Sequence, residues 1–233
     1  MPVKRILLKL SGEALADDKS SICEESLKRT VREIKSAFSS SVTQFAIVIG
    51  AGNIWRGAGK SVDRASADKM GMLATLMNAI ALNDGLNKEN LKSKIFSAAG
   101  VSSFVEVFNR DNAVRSLEDG YIVIFAGGTG NPYFTTDTTA ALRAAEIKAD
   151  IILKATQVDG VYSADPKKNS LAFKYDKLTF KDAIDKQLKI MDSSAFSLCI
   201  ESNIAISVFD FYKDGNLRKI LNGEKIGTLI TAS

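Results

Sequence analysis

The chain repeats a pattern that few folds accept: short apolar runs without polar alternation, each ending in glycine or a polar turn. Phe45 to Gly50 (FAIVIG) and Tyr121 to Ala126 (YIVIFA) are the clearest. A strand with one face in water alternates apolar and polar residues. These runs do not, so both faces must be covered, as in a parallel sheet flanked by helices. Arg5 to Leu10, Ile151 to Lys154, Ile204 to Phe209 and Thr228 to Thr231 extend the set. Ile95 to Ala98 and Phe104 to Val107 are weaker members.

Helical spacing lies between the runs. Glu24 to Phe38 places Leu27, Val31, Ile34 and Phe38 three or four apart. Ala67 to Leu86 repeats Met70, Leu73, Met77 and Ile80, a stripe assigned here to the core, with a functional N-terminal end to its helix. Thr138 to Ile147 and Ser193 to Glu201 are also helical. Strand, helix, strand in alternation predicts an α/β fold with a mostly parallel central sheet. With 233 residues the chain buries roughly 70–75% of its unfolded surface. No Gly/Ser linker interrupts it, so one domain with two lobes around one sheet is expected.

The sequence has no histidine. Ser-His-Asp hydrolysis, Cys-His proteolysis and His-ligated zinc are excluded in their usual forms. Chemistry must run on Lys, Arg, Asp, Glu, hydroxyls and backbone. Cys23 and Cys199 lack metal-ligand spacing and read as buried free thiols in a reducing cytosol. The net charge of +4 suits small anionic substrates but not a dedicated nucleic-acid face. The apolar run near the N-terminus is too short for a signal peptide, and no run approaches membrane-spanning length. A cytoplasmic protein is expected.

In a doubly covered sheet, ligands sit beyond the carboxyl ends of the strands. Lys9 to Glu13 (KLSGE) follows the first strand and offers a lysine beside a tight turn. Gly50 to Ser61 (GAGNIWRGAGKS) follows the second, with Arg56 between glycines. It is neither standard phosphate motif. A P-loop ending at Gly59-Lys60-Ser61 requires glycine where Ile54 stands, and a dinucleotide fingerprint requires it at Trp55. Gly127 to Asp137 (GGTGNPYFTTD) follows a third strand and leads into a helix, with Thr135, Thr136 and Asp137 as N-cap candidates. Lys154 to Pro166 (KATQVDGVYSADP) follows a fourth; it fits a hairpin with Tyr162 packed and a flap over a base equally well. Asp192 precedes a helix and reads as its N-cap. Four phosphate-friendly turns at strand ends imply a highly anionic ligand or two ligands meeting.

These segments resemble the amino-acid kinase family, and within it the branch whose acceptor is uridine monophosphate (UMP). The likeness runs from Lys4–Leu15 (KRILLKLSGEAL) through Lys69–Leu82 (KMGMLATLMNAIAL), Gly128–Thr138 and Leu188–Asp192 (LKIMD) to Gly227–Thr231. It implies a three-layer αβα sandwich, an acceptor-binding lobe over about 1–150 and an ATP-binding lobe over about 151–233. It further implies a homohexamer and phosphoryl transfer from ATP to UMP, with Mg²⁺ carried by ATP and no confident protein ligand for the metal. Nucleic acid and membrane are not implied partners. By motif match, Lys9, Leu10, Ser11 and Gly12 hold ATP phosphates, and Gly52 and Arg56 lie where the ligands meet. Thr156, Tyr162 and Asp165 hold the ATP base and ribose. Ala51, Asp68, Thr129, Gly130, Asn131, Pro132, Tyr133, Phe134, Thr135 and Thr136 hold UMP. Lys9, Arg56, Asp137, Asp192 and Lys154 form the implied catalytic group.

Some positions depart from the family pattern. Ala51 stands where glycine is usual, Lys69 replaces a common histidine, and Gln157 replaces a common Asn or Lys. Ala16 to Ser21 stands where GTP-activated relatives carry a glycine-rich stretch, so the resemblance does not extend to GTP activation. A relative that phosphorylates a carboxylate or carbamate, and a nucleotide-binding protein without turnover, remain the alternatives.

Overall fold

A computed structural model describes residues 4–38, 43–57, 61–101, 103–166 and 168–232. Gly59 and Lys60 of the P-loop-like tail lie outside the described residues. In chain order the strands are β1 (Arg5–Leu10), β2 (Gln44–Ile49), β3 (Ser93–Ser97), β4 (Glu106–Val107), β5 (Ile122–Ala126) and β6 (Ile151–Thr156). Then come β7 (Val161–Tyr162), β8 (Lys174–Tyr175), β9 (Lys177–Thr179), β10 (Ala205–Asp210) and β11 (Thr228–Thr231). The helices are α1 (Glu24–Phe38), α2 (Arg64–Lys88), α3 (Arg110–Glu118), α4 (Thr136–Glu146), α5 (Phe180–Asp185), α6 (Ser193–Glu201) and α7 (Asn216–Leu221). A 3₁₀ turn spans Gly12–Leu15.

Nine strands form one sheet in the order β4-β3-β5-β2-β1-β6-β10-β11-β9. Every pairing is parallel except β10 with β11. The short return through α7 reverses the chain there, and an antiparallel strand near one edge is a common variation. The ribbon β7–β8 stands outside this sheet.

Alternation along β1 builds the layers. Ile6, Leu8 and Leu10 join a core with Val31, Ile34, Leu82 and Leu217, under α1, α2 and α7. Leu7 joins the opposite core with Ala140, Ala141, Ala144, Ala195 and Cys199, under α4 and α6. The result is the expected αβα sandwich. Cys199 is buried and free; its thiol is pushed up to about 12 by burial and by the nearby Asp137 and Asp192 charges. Cys23 is free but only half-buried, so the expectation of two buried thiols holds for Cys199 alone. Among the described residues no helix is long and apolar enough to cross a membrane.

The stripe on α2 corrects one sequence expectation. Met70, Leu73, Met77 and Ile80 are 40–53% exposed. The buried face is Ala67, Ala74, Leu76, Ala79, Leu82 and Leu86. This helix is apolar nearly all round, so periodicity cannot choose its inner stripe. Small residues win because they let the helix lie close against the sheet.

Candidate active site

β1, β2, β5 and β6 run parallel, so their carboxyl ends open on one edge of the sheet. Lys9 and Lys154 are paired in register on neighbouring strands. Both project to the face that carries α4, two positions beyond Leu7 and Ile152 of its core. Two ammonium groups side by side repel, and Asp137 resolves the conflict. It is the second residue of α4, whose N-cap is Thr135. Its Oδ1 lies 2.7 Å from Lys9 Nζ and its Oδ2 lies 2.6 Å from Lys154 Nζ. All three side chains are 14–15% exposed. Lys154 Nζ also donates to the Ile190 carbonyl.

Burial alone would raise the Asp137 carboxyl, but Lys9 and then Lys154 outweigh it, and the net direction is downward. Lys154 is held below the ordinary lysine value, first by burial and also by Lys9, against the pull of Asp137.

Asp192 fixes this arrangement from behind. It caps α6 through the Ala195 N–H at 3.0 Å. It also accepts from the hydroxyls of Thr138 at 2.9 Å and of Thr135. Its oxygens thus tie the start of α4 to the start of α6.

The turns after β1 and β2 are pressed together. A Cβ on Gly12 would stand 2.0 Å from Asn53 Oδ1 and 2.7 Å from the Gly50 carbonyl, so only glycine fits. Asn78 Nδ2 donates to the Gly50 carbonyl and to Asn53 Oδ1, each at 2.8 Å. A side chain at Gly50 would meet Thr136 Oγ1 at 3.5 Å. Arg56 Nε donates to the Gly52 carbonyl at 2.9 Å, and its guanidinium pairs with Glu13.

Two cavities of about 190 Å³ each flank these turns. One is walled by Lys9, Leu10, Ser11, Glu13, Lys154, Thr156, Gln157, Phe211 and Tyr212. The other is walled by Ala51, Gly52, Trp55, Asp68, Gly128, Phe134, Thr135 and Thr136. Arg56 spans the boundary, since Gly52 lines the second and Glu13 the first. A larger groove of about 810 Å³ lies between α1 and α2 and contains none of these residues.

The model of the amino acid kinase family matches residues 4–210. The chain belongs to the amino acid kinase family. Solved relatives of full length reinforce the assignment. The UMP kinase from Bacillus anthracis superposes with a TM-score of 0.96 at 39% identity, covering 100% of this chain and 98% of that one. The UMP kinase from Ureaplasma parvum gives 0.93 at 38% identity, covering 99% and 100%. The uridylate kinase from Archaeoglobus fulgidus gives 0.73 at 28% identity, covering 97% and 99%.

In this amino acid kinase the loop from Gly127 to Thr135 is shaped by left-handed backbone. Gly127, Gly128 and Gly130 have φ of +76°, +62° and +86°, and Tyr133 has +73°. A tyrosine in that region is strained and needs an external hold. Asp68 supplies it, accepting from the Tyr133 N–H at 2.7 Å. Arg64 pairs with Asp68 at 2.9 Å and lies 5.7 Å from the Tyr133 ring. Thr129 and Asn131 bond to each other within the loop, Pro132 is half-buried, and Phe134 is exposed at the cavity wall.

Tyr162 and Asp165 are placed elsewhere. Tyr162 lies in the β7–β8 ribbon, its hydroxyl donating to Asp159 at 2.7 Å, and neither residue lines the first cavity. Four positions that sequence reasoning passed over prove structural to the site. They are Glu13, Asn53, Thr75, whose hydroxyl accepts from the Gly127 N–H at 2.9 Å, and Asn78. Asn78 carried a signal: an amide in the apolar stretch Met70 to Leu82 must find partners when buried.

Proposed function

We propose that this amino acid kinase transfers the γ-phosphoryl group of ATP to UMP, giving ADP and UDP for pyrimidine nucleotide synthesis. One observation carries the reading. Two in-register lysines, clamped by one aspartate, wall the first cavity at the ends of their strands, and Thr136, next to that aspartate, walls the second. Full-length similarity to two UMP kinases supports the choice of acceptor.

The chemistry follows from charge. A phosphate monoester has a second pKa near 6, so UMP arrives at pH 7 largely as a dianionic nucleophile. No general base is required, which accords with a chain lacking histidine. The task is to align two like-charged phosphates and stabilise charge in transit. Lys9 and Lys154 neutralise the transferring and bridging oxygens. Asp137 positions both ammonium groups and takes no proton. Arg56 stands between the ligands and exchanges its Glu13 partner for phosphate oxygens. Leu10, Ser11 and Gly12 offer backbone to the ATP phosphates, and Thr156 lines the nucleotide cavity. Tyr162 and Asp165 reach the base and ribose if the β7–β8 ribbon closes on bound ATP. Ala51, Gly52, Asp68 and the loop from Thr129 to Thr136 receive UMP. Every wall of that second cavity comes from the first 150 residues, whereas the first draws on both halves, in keeping with an acceptor lobe and a nucleotide lobe.

Mg²⁺ carried by ATP would supply charge neutralisation on the phosphates. Among the described residues no cluster of three or more acidic, Cys or His groups could hold it alone. Asp137, which holds both lysines, would orient a water of that ion. A cytoplasmic location follows from the substrates.

The exposed α2 stripe supports self-association into the proposed homohexamer. Leu73→Glu with Met77→Glu should reduce the particle mass by light scattering; an unchanged mass refutes the stripe's role.

Labelled ATP offered with UMP, CMP, dTMP, acetylglutamate, aspartate and carbamate tests the acceptor. UDP formation with UMP is expected to be fastest. Faster transfer to a carboxylate or carbamate overturns the assignment, and absence of ADP release with every acceptor overturns turnover itself.

A further inference from the structure

A third cavity, of about 340 Å³, opens between α1 and α7, away from both ligand cavities. Its walls include Arg29, Arg32 and Arg218. None of the three forms an ion pair with a carboxylate among the described residues. The lysines nearby differ: Lys28 pairs with Glu24 and Lys35 with Glu89. Glu33 also lines the cavity, but its oxygens are committed to the N–H groups of Gly215 at 3.0 Å and Leu217 at 3.2 Å. Glu33 keeps its charge, so with Asp214 it offsets two of the three guanidiniums and the lining is left net positive by one.

Guanidinium groups present paired donors that match phosphate oxygens. Three of them around one concavity, none in an ion pair among the described residues, offer donors to the oxygens of a phosphate chain within a net positive lining. We infer that the α1–α7 cavity binds a polyphosphate chain, free or as part of a nucleotide, at a site separate from the two ligand cavities.

Arg29 connects this cavity to nucleotide binding. Its guanidinium lies 4.5 Å from the centre of the Tyr212 ring, and Tyr212 is a wall of the first cavity. The cation on that ring adds positive potential beside the nucleotide. An anion at the arginine cluster neutralises it and draws Arg29 off the ring, so ATP binding weakens. By linkage, ATP weakens the anion equally. This coupling rests on the nucleotide reading of the first cavity; the anion site does not.

Calorimetry on the full chain tests the site, with inorganic triphosphate in one arm and a non-hydrolysable ATP analogue in the other. Wild type is expected to bind one more equivalent of at least one probe than Arg32→Gln with Arg218→Gln. Both side chains are exposed, so the double variant should fold. Arg32→Lys with Arg218→Lys keeps the charge and should keep the extra equivalent. A second site for triphosphate identifies the phosphate chain as sufficient; one for the analogue only identifies a nucleotide. Equal stoichiometry in wild type and the Gln variant for both probes overturns the site. For coupling, triphosphate competes at the nucleotide cavity in both proteins, and the excess is what matters. KM for ATP should rise about five-fold more in wild type than in the Gln variant. A second site without that excess refutes the coupling and leaves the site standing.

Discussion

Replacing Asp137 by Asn isolates the electrostatic logic of the cluster. The substitution keeps shape and removes the charge between Lys9 and Lys154. Neighbouring strands are about 4.8 Å apart, which sets the scale for the two ammonium groups. At roughly 5 Å and an effective dielectric near 20, their repulsion is about 3 kcal/mol, in line with the 3–5 kcal/mol typical of breaking a buried ion pair. An unfolding entropy near 0.5 kcal/mol/K, scaled to 233 residues, turns that into a fall in Tm of about 6 °C. The deficit should shrink at high pH, where Lys154, already held below its ordinary value, sheds its proton. Adding Lys154→Met to Asp137→Asn removes the repulsion and should recover about half the loss. Thermal unfolding by circular dichroism reads all of these. A single variant within about 1 °C of wild type, or a double variant less stable than the single, refutes the clamp. In the same variant, turnover should fall while UMP still binds, because the clamp positions cations and does not form the acceptor cavity.

The two shifted groups also set opposite pH limits. Asp137 sits below its ordinary value of 3.8, so its stabilising contribution is present above that value and is lost as pH falls through the lowered one; acid unfolding of wild type should steepen below about pH 4 relative to Asp137→Asn. Lys154 sits below 10.5, so kcat should decline on the basic side before an ordinary lysine would titrate, and Lys154→Arg should move that limb upward; an unmoved limb refutes the assignment to Lys154.

The sheet was legible because its central strands are buried on both faces and cannot hide in alternation. β1, β2, β5, β6, β10 and β11 fall where the apolar runs lie, within a residue or two. β4 is shorter than Phe104 to Val107 because its residues are exposed at the sheet edge. α3, α5 and α7 were not identified, being short and weakly apolar, with docking rather than periodicity to hold them. Which stripe of α2 faces inward depended on close packing of alanines, a tertiary fact. At the site, Lys9, Asp137 and the strand-end glycines stood out by type and position. The partnership of Lys9 with Lys154 did not, since 145 positions of chain separate residues that strand register makes neighbours. Asn78 and Glu13 serve by bonding to other turns, and one-dimensional spacing does not record such contacts.

The claim that two clamped cations carry phosphoryl transfer meets its most direct trial in Lys9→Ala. Turnover is measured with ATP and UMP both saturating, on protein shown to be folded. Losing a donor of this kind should lower kcat by about 10²–10³. A kcat near that of wild type would show that the in-register lysine is not part of the chemistry.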